Sequence, residues 1–159
     1  MQWQDVLADK SLQDLPYKIE LNDKGNIEMS PASLLHSLIQ GKLALLLGST
    51  LTQGSVFTEL AIQTSNGIRV PDVAWGSNHY IKQHKTEVYA SSAPEICVEI
   101  ISPSNTPKEM LEKVQLFIDA GANEVWLVTE SGDISIYNQN GQTDKSFFDI
   151  QINKIDLNL

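Results

Sequence analysis

The run Glu95-Ile-Cys-Val-Glu-Ile-Ile101 constrains this chain more than any other stretch in it. It is short and almost wholly apolar, with β-branched residues throughout. That is the composition of a strand buried on both faces. Ser102-Pro103 ends it. Thr106-Pro107 then opens a helix, because threonine caps a first turn well and proline is tolerated where no N–H partner is needed. Met110, Val114, Phe117 and Ile118 give that helix its apolar stripe, and Gly121 closes it. Glu124 to Thr129 is a second buried strand. A helix-length crossover between two strands predicts that they lie side by side and parallel. The chain is therefore read as α/β.

The remaining pattern is a helix and meandering strands. Trp3 to Leu15 carries Val6, Leu7 and Leu12, which suits a short helix. Tyr17 to Asn22 alternates, Asp23-Lys-Gly25 turns, and Ile27 and Met29 resume the alternation, predicting a hairpin. Ser30-Pro31 is expected to open a helix buried along Leu34, Leu35, Leu38 and Ile39, with Ser33, His36 and Gln40 opposite and an end near Gly48. Ser55 to Thr64 has period two, with Val56, Leu60 and Ile62 on one face. Asn66-Gly67 predicts a hairpin into a strand from Ile68 to Trp75. Residues 78–92 read as a polar loop with one helical turn. Asp133 to Tyr137 alternates, Asn140-Gly141 turns, and Phe147 to Ile152 is expected to be the last strand.

Length bounds the rest. The 159 residues suit one domain, which buries roughly 70% of its unfolded surface and needs no staple. Cys97 is the lone cysteine, so an intramolecular disulfide is excluded and a small core residue is expected. The mixed polar start, Met1 to Leu12, does not read as a signal peptide. The longest apolar run, Leu43 to Leu47, is too short to cross a membrane. The expectation is a cytoplasmic protein. Its net charge is -9, from 20 acidic and 11 basic residues. That sign is wrong for a protein held to nucleic acid mainly by charge, and it predicts weak non-specific affinity.

Two acids are out of place. On the 95–101 strand, Ile96, Val98 and Ile100 share one face, and Cys97, Glu99 and Ile101 the other. Glu99 thus sits inside an apolar strand. A buried carboxylate must be neutralised, paired or bound to metal, so a metal site and an ordinary ion pair are both open. Val70-Pro-Asp-Val-Ala-Trp75 is another apolar stretch interrupted by one acid, Asp72. Asp72 also suits a turn after proline. Carboxylates on two strands, however, can converge on Mg²⁺ or Mn²⁺.

Pro71-Asp72, then Glu99 followed by Ser102-Pro103-Ser104, then Lys113 on the next helix, resembles the Uma-two family of restriction-endonuclease-like proteins in the PD-(D/E)XK nuclease superfamily. Tyr17 to Gly25, Met29-Ser-Pro31 with His36, and Gly121-Ala-Asn-Glu-Val-Trp-Leu-Val128 also resemble that family, so the likeness spans roughly residues 15 to 138. The resemblance implies a mixed β-sheet flanked by helices and a metal-dependent endonuclease acting on DNA. By the same resemblance, Asp72 and Glu99 would bind Mg²⁺ or Mn²⁺, with the carbonyl of Ile100 as a further ligand. Lys113 would orient the attacking water and counter phosphate charge. Glu20 would hold a metal-bound water or second ion, and His36 would line the site.

The superfamily's usual lysine lies two residues after the acid, where Ile101 stands. In the Uma-two pattern it comes from the following helix. Glu109, Lys113 and Phe117 form one helical row, so the alternative for Lys113 is a surface pair with Glu109. Phe117 stands where the family favours tyrosine. A competing reading is a nuclease fold that no longer cuts and serves as a binding module, which the acidic charge favours. A homodimer would suit a nuclease that cuts two strands. His79 and His84 read as solvated loop residues, Trp75 and Trp126 as core, and Ser102 and Ser104 as turn formers.

Overall fold

The computed structural model describes residues 1–157. Two sheets organise it. The smaller has the order β2-β1-β5-β4, from β1 (Tyr17–Leu21), β2 (Ile27–Pro31), β4 (Ile62–Thr64) and β5 (Gly67–Arg69). The larger has the order β10-β9-β8-β7-β6-β3, from β3 (Gly54–Phe57), β6 (Val73–Ser77), β7 (Ile96–Ile100), β8 (Glu124–Val128), β9 (Ile134–Asn138) and β10 (Gly141–Thr143). Strands β7 and β8 are parallel, in register from Ile96↔Glu124 to Ile100↔Val128, and every other pairing between these strands is antiparallel. The helices are α1 (Trp3–Ala8), α2 (Leu34–Thr50), α3 (Asn78–His84) and α4 (Pro107–Asp119). None among the described residues is long and apolar enough to cross a membrane.

The β7–α4–β8 unit forms as its sequence predicts. Thr106 caps α4 by accepting from the Glu109 N–H, and the Glu109 carboxylate accepts from the Thr106 N–H, a reciprocal cap. Glu109 is thereby committed to the helix end. Strand β7 is buried on both faces. Ile96, Val98 and Ile100 pack with Ile39, Leu43 and Leu47 of α2, while Cys97 packs with Met110, Val114 and Phe117 of α4. Trp75 and Trp126 are core, and Cys97 is a buried free thiol.

Several expectations are corrected. Pro31 does not open α2. It is the last residue of β2, paired with Tyr17, and Ser33 caps the helix instead. The buried face of α2 is Ile39, Leu43 and Leu47, whereas Leu34 is 84% exposed. The helix is leucine-rich on every side, so periodicity did not fix its register. It also runs through Gly48 to Thr50. The Ser55–Thr64 run is two strands of different sheets, broken where Glu59 adopts φ +56°. Likewise Ile68–Trp75 is two strands, β5 and β6, separated by Val70-Pro71-Asp72 as the chain passes from the small sheet to the large one. Proline has no N–H to give a ladder, so the break falls there. Residues 78–84 form two helical turns rather than one. Phe147–Ile152 forms no strand, and β10 is the edge.

Candidate active site

The break at Pro71 creates the site. Val73 pairs with Val98, so continuing the register by one step sets Asp72 opposite Glu99. The Asp72 N–H donates to the Val98 carbonyl at 2.9 Å, and the Ile100 N–H donates to Asp72 Oδ2 at 2.8 Å. Both acids are almost fully buried, at 4% and 2% exposure. Gln40 of α2 donates to the Asp72 carbonyl at 2.8 Å, and His36 Nε2 lies 3.4 Å from Asp72 Oδ1. His36 and Gln40 lie one helical turn apart, which puts both on the side of α2 that faces the cleft.

Two ammonium groups converge on the acids. Lys113 Nζ, from α4, is 3.6 Å from Glu99 Oε2. The helical row therefore does cross the end of β7. The surface pair on α4 is Lys108–Glu112 rather than Glu109–Lys113. Lys18 Nζ, from β1, bridges both acids, 3.0 Å from Asp72 Oδ1 and 3.2 Å from Glu99 Oε2. Sequence reasoning missed Lys18, although one signal was available. It lies two residues before Glu20 on a strand, hence on the same face.

Glu20 is buried but turned toward the frame of the site. Its Oε1 accepts from the Val70 N–H at 2.8 Å, and its Oε2 lies 3.6 Å from Arg69 Nη1. Arg69 also pairs with Glu28 of β2, which holds the Glu28 carboxyl below its ordinary range. Glu20 thus braces the crossing between sheets and is not among the cleft's lining residues. The cleft measures about 760 Å³ and is lined by Lys18, His36, Asp72, Glu99, Ile100 and Lys113, among others.

The electrostatics of the two acids diverge. Burial raises the Asp72 carboxyl, but the hydrogen bond from His36, the Lys18 ammonium and the Ile100 N–H together hold it well below the usual range. Burial dominates at Glu99. Lys18 and Lys113 pull down while Asp72 pushes up, and the carboxyl is pushed up to about 7. For Lys18, burial would lower the ammonium's pKa, but Glu99, Asp72 and Glu20 raise it above its ordinary value. Glu99 Oε1 has no hydrogen-bond partner despite being buried.

That oxygen tests whether the residues fit a divalent ion. Among the described residues no group of three or more His, Cys, Asp or Glu forms a cation cluster. Two carboxylates with solvent completing the shell are nonetheless an ordinary donor set for Mg²⁺. A positive group already sits within 3.2 Å of one oxygen of each acid, and a second buried oxygen is unsatisfied. The residues fit.

Elsewhere, His84 is not the free loop residue expected. Its Nδ1 lies 2.9 Å from Glu87 Oε2 and its Nε2 3.2 Å from Ser92 Oγ. Glu87 also accepts from the Ser91 N–H and hydroxyl, so this set organises the 84–92 loop. His79 is exposed. Ser102 and Ser104 join Asn105 in a turn.

The fold defines the class, a restriction-endonuclease-like α/β protein with its parallel strand pair at the centre. The chain belongs to the Uma2 family, described as "Putative restriction endonuclease", which it matches over residues 9–150. Its backbone is also similar to the crystal structure of "a putative nuclease belonging to DUF820" from Anabaena variabilis ATCC 29413. The TM-score is 0.71 at 17% identity, over 88% of this chain and 87% of that one. At that identity the likeness shows the fold. A search of curated proteins finds no match.

Proposed function

We propose that this protein is a metal-dependent endonuclease that hydrolyses DNA phosphodiester bonds at Asp72, Glu99 and Lys113. The observation that supports it most is Glu99, a buried carboxylate in the central strand with one oxygen unsatisfied and cations on its other oxygen. An acid kept at that position serves no packing purpose. Asp72, Glu99 and the Ile100 carbonyl would hold Mg²⁺ or Mn²⁺. When bound, that ion supplies a water of lowered pKa and a Lewis acid for the phosphoryl oxygen.

The chain's own residues supply the rest. Asp72 stays ionised because His36, Lys18 and the Ile100 N–H all favour its charged form. His36 and Gln40 fix its orientation from α2. Lys113 is 27% exposed and faces the cleft, so its ammonium can meet a phosphate oxygen or the incoming water while its other side faces Glu99. Such a fixed charge stabilises the extra negative charge of the transition state without reorganising. Glu20 acts as a positioning residue, holding the β5–β6 crossing through Val70 and Arg69. The net charge of -9 makes the cleft, rather than the whole surface, the seat of affinity, and a homodimer would bring two clefts to two strands.

A second reading is favoured by one observation. Lys18 already bridges both acids, as it would in a nuclease fold kept only for binding. Supercoiled plasmid incubated with Mn²⁺ or Mg²⁺ at low salt, beside Glu99→Ala purified identically, separates the two. Nicking that requires the metal and disappears in the variant is expected. Equal nicking by both proteins would assign the activity to a contaminant, and no nicking by either supports the binding module.

A further inference from the structure

Among the described residues Lys18 is the one cation that touches both acids, and nothing in the family resemblance assigns it a role. Its position is peculiar in three ways. Its Nζ is within 3.2 Å of Asp72 Oδ1 and Glu99 Oε2, the two oxygens that also face His36 and Lys113. It comes from the opening residues of β1, where pairing is to β2 alone, because β5 joins β1 only at Leu21. It also lines the cleft with 17% of its side chain exposed, so its flexible stem has somewhere to go.

We propose that Lys18 is an internal counter-ion that occupies the divalent-cation position between Asp72 and Glu99 in the metal-free protein, and that metal binding displaces it into the cleft. This rests on the nuclease reading above and adds a gate to the same site. The argument is one of charge and space. When both are ionised, Asp72 and Glu99 carry two negative charges, and Lys18 and Lys113 balance them. A divalent ion on the same oxygens, at roughly 2.1 Å, would face an ammonium already bound to them. Two cations at such separation in a buried site repel strongly. Lys18 is the ammonium seated between the two acids, where the ion would go, and it can leave by rotating its stem alone. Lys113 touches only Glu99, at 3.6 Å, and can stay. Displaced, the Lys18 ammonium faces the cleft, where a phosphate oxygen would meet it. The site thus holds no unbalanced charge when empty, and its metal affinity is set by competition with a residue of its own chain.

The test is Mn²⁺ binding by titration calorimetry, without nucleic acid, to wild type, Lys18→Met, Lys113→Met and Glu99→Gln. Lys18→Met is expected to bind Mn²⁺ at least tenfold more tightly than wild type. Lys113→Met should change affinity less than threefold, and Glu99→Gln should lose binding. Binding by Lys18→Met alone is the same result in its extreme form. Equal affinity of wild type and Lys18→Met overturns the gate while leaving the metal site standing. No binding by any of the four overturns the metal-dependent reading and the gate together. Should Lys18→Met fold poorly, residue-resolved acylation of wild type followed by mass spectrometry gives an independent answer. Saturating Mn²⁺ is expected to speed acylation of Lys18 more than fivefold relative to Lys108, which is exposed throughout. An unchanged ratio overturns displacement.

Discussion

Glu99 and Glu124 sit on neighbouring parallel strands, at opposite ends of the β7–β8 pair, and both are at most 2% exposed. The fold treats them oppositely. Glu124 accepts from Trp126 Nε1 at 3.0 Å, from the Phe147 N–H at 3.0 Å and from the Ser146 hydroxyl. Its charge is spread over three fixed donors, and it pins the 146–147 segment beside the large sheet. Among the described residues, Glu99 accepts no hydrogen bond from the backbone. It has two ammonium groups on one oxygen and nothing on the other. Burial of an acid is therefore not in itself a sign of function. The sign is an acid left incompletely satisfied where cations converge.

The largest expected effect separates the two by activity. Glu99→Gln should lower metal-dependent plasmid nicking by about 10²–10³-fold, the scale seen when a group that stabilises transition-state charge is removed. Glu124→Gln should stay within threefold of wild type when both are assayed well below their unfolding temperatures. Comparable losses in both variants would erase the distinction and make Glu99 another structural acid.

Stability should show the reverse order. In Glu124→Gln the new amide turns an N–H₂ toward one of three donors, leaving a buried donor unpaired. A loss of roughly 2–3 kcal/mol is expected from urea unfolding. Glu99→Gln removes a desolvated charge with one oxygen unsatisfied, and Lys18 keeps Asp72 as its partner, so the metal-free variant should be as stable as wild type or more so. A clear destabilisation by Glu99→Gln would show that Glu99 holds the fold together.

The contrast also has a pH signature. Glu99 is pushed up to about 7 in the folded protein, above the usual unfolded value near 4.3. Between those values the folded state holds more protons, so its stability falls as pH rises through that window and levels off above it. Glu99→Gln lacks this loss. The stability gap between variant and wild type should thus be small near pH 4.5 and open by about 1–3 kcal/mol at pH 8. Asp72 does not blur the result. Its pKa is lowered, so its contribution is present above the ordinary carboxylate range and is lost only as pH falls below it. A gap independent of pH from 4.5 to 8 would overturn the raised pKa.

The same contrast explains what could be read from the chain alone. The β7–α4–β8 unit was legible because Thr106, Pro107, the 3.6-residue stripe and Gly121 all agree on it. Asp72, Glu99 and Lys113 were singled out because two acids interrupt apolar strands and the family order includes the lysine. Their approach was not legible, since it depends on Pro71 breaking one apparent strand into β5 and β6 of different sheets. Nor was the buried side of α2, where leucines on all faces carry no phase. Lys18 was hidden for another reason. On a strand beside solvent, one lysine resembles any other until the partner 81 residues away is known. Glu124 escaped notice as well, because two of its three donors, Ser146 and Phe147, come from 22 and 23 residues further along the chain.

The smallest effect tests the satisfied half of the comparison. Ser146→Ala removes one donor from Glu124 Oε1 and also the hydroxyl that accepts from the Phe148 N–H at 3.1 Å. The Trp126 and Phe147 donors remain, so the carboxylate stays mostly satisfied and a loss of about 1 kcal/mol is expected. A double-mutant cycle with Glu124→Gln should return a coupling of at least about 0.5 kcal/mol, because the two side chains touch. The equivalent cycle between Ser146 and Glu99, which share no partner, should return none. Coupling of Ser146 to Glu99 instead would mean that the two acids respond as one network and that their opposite treatment by the fold is only apparent.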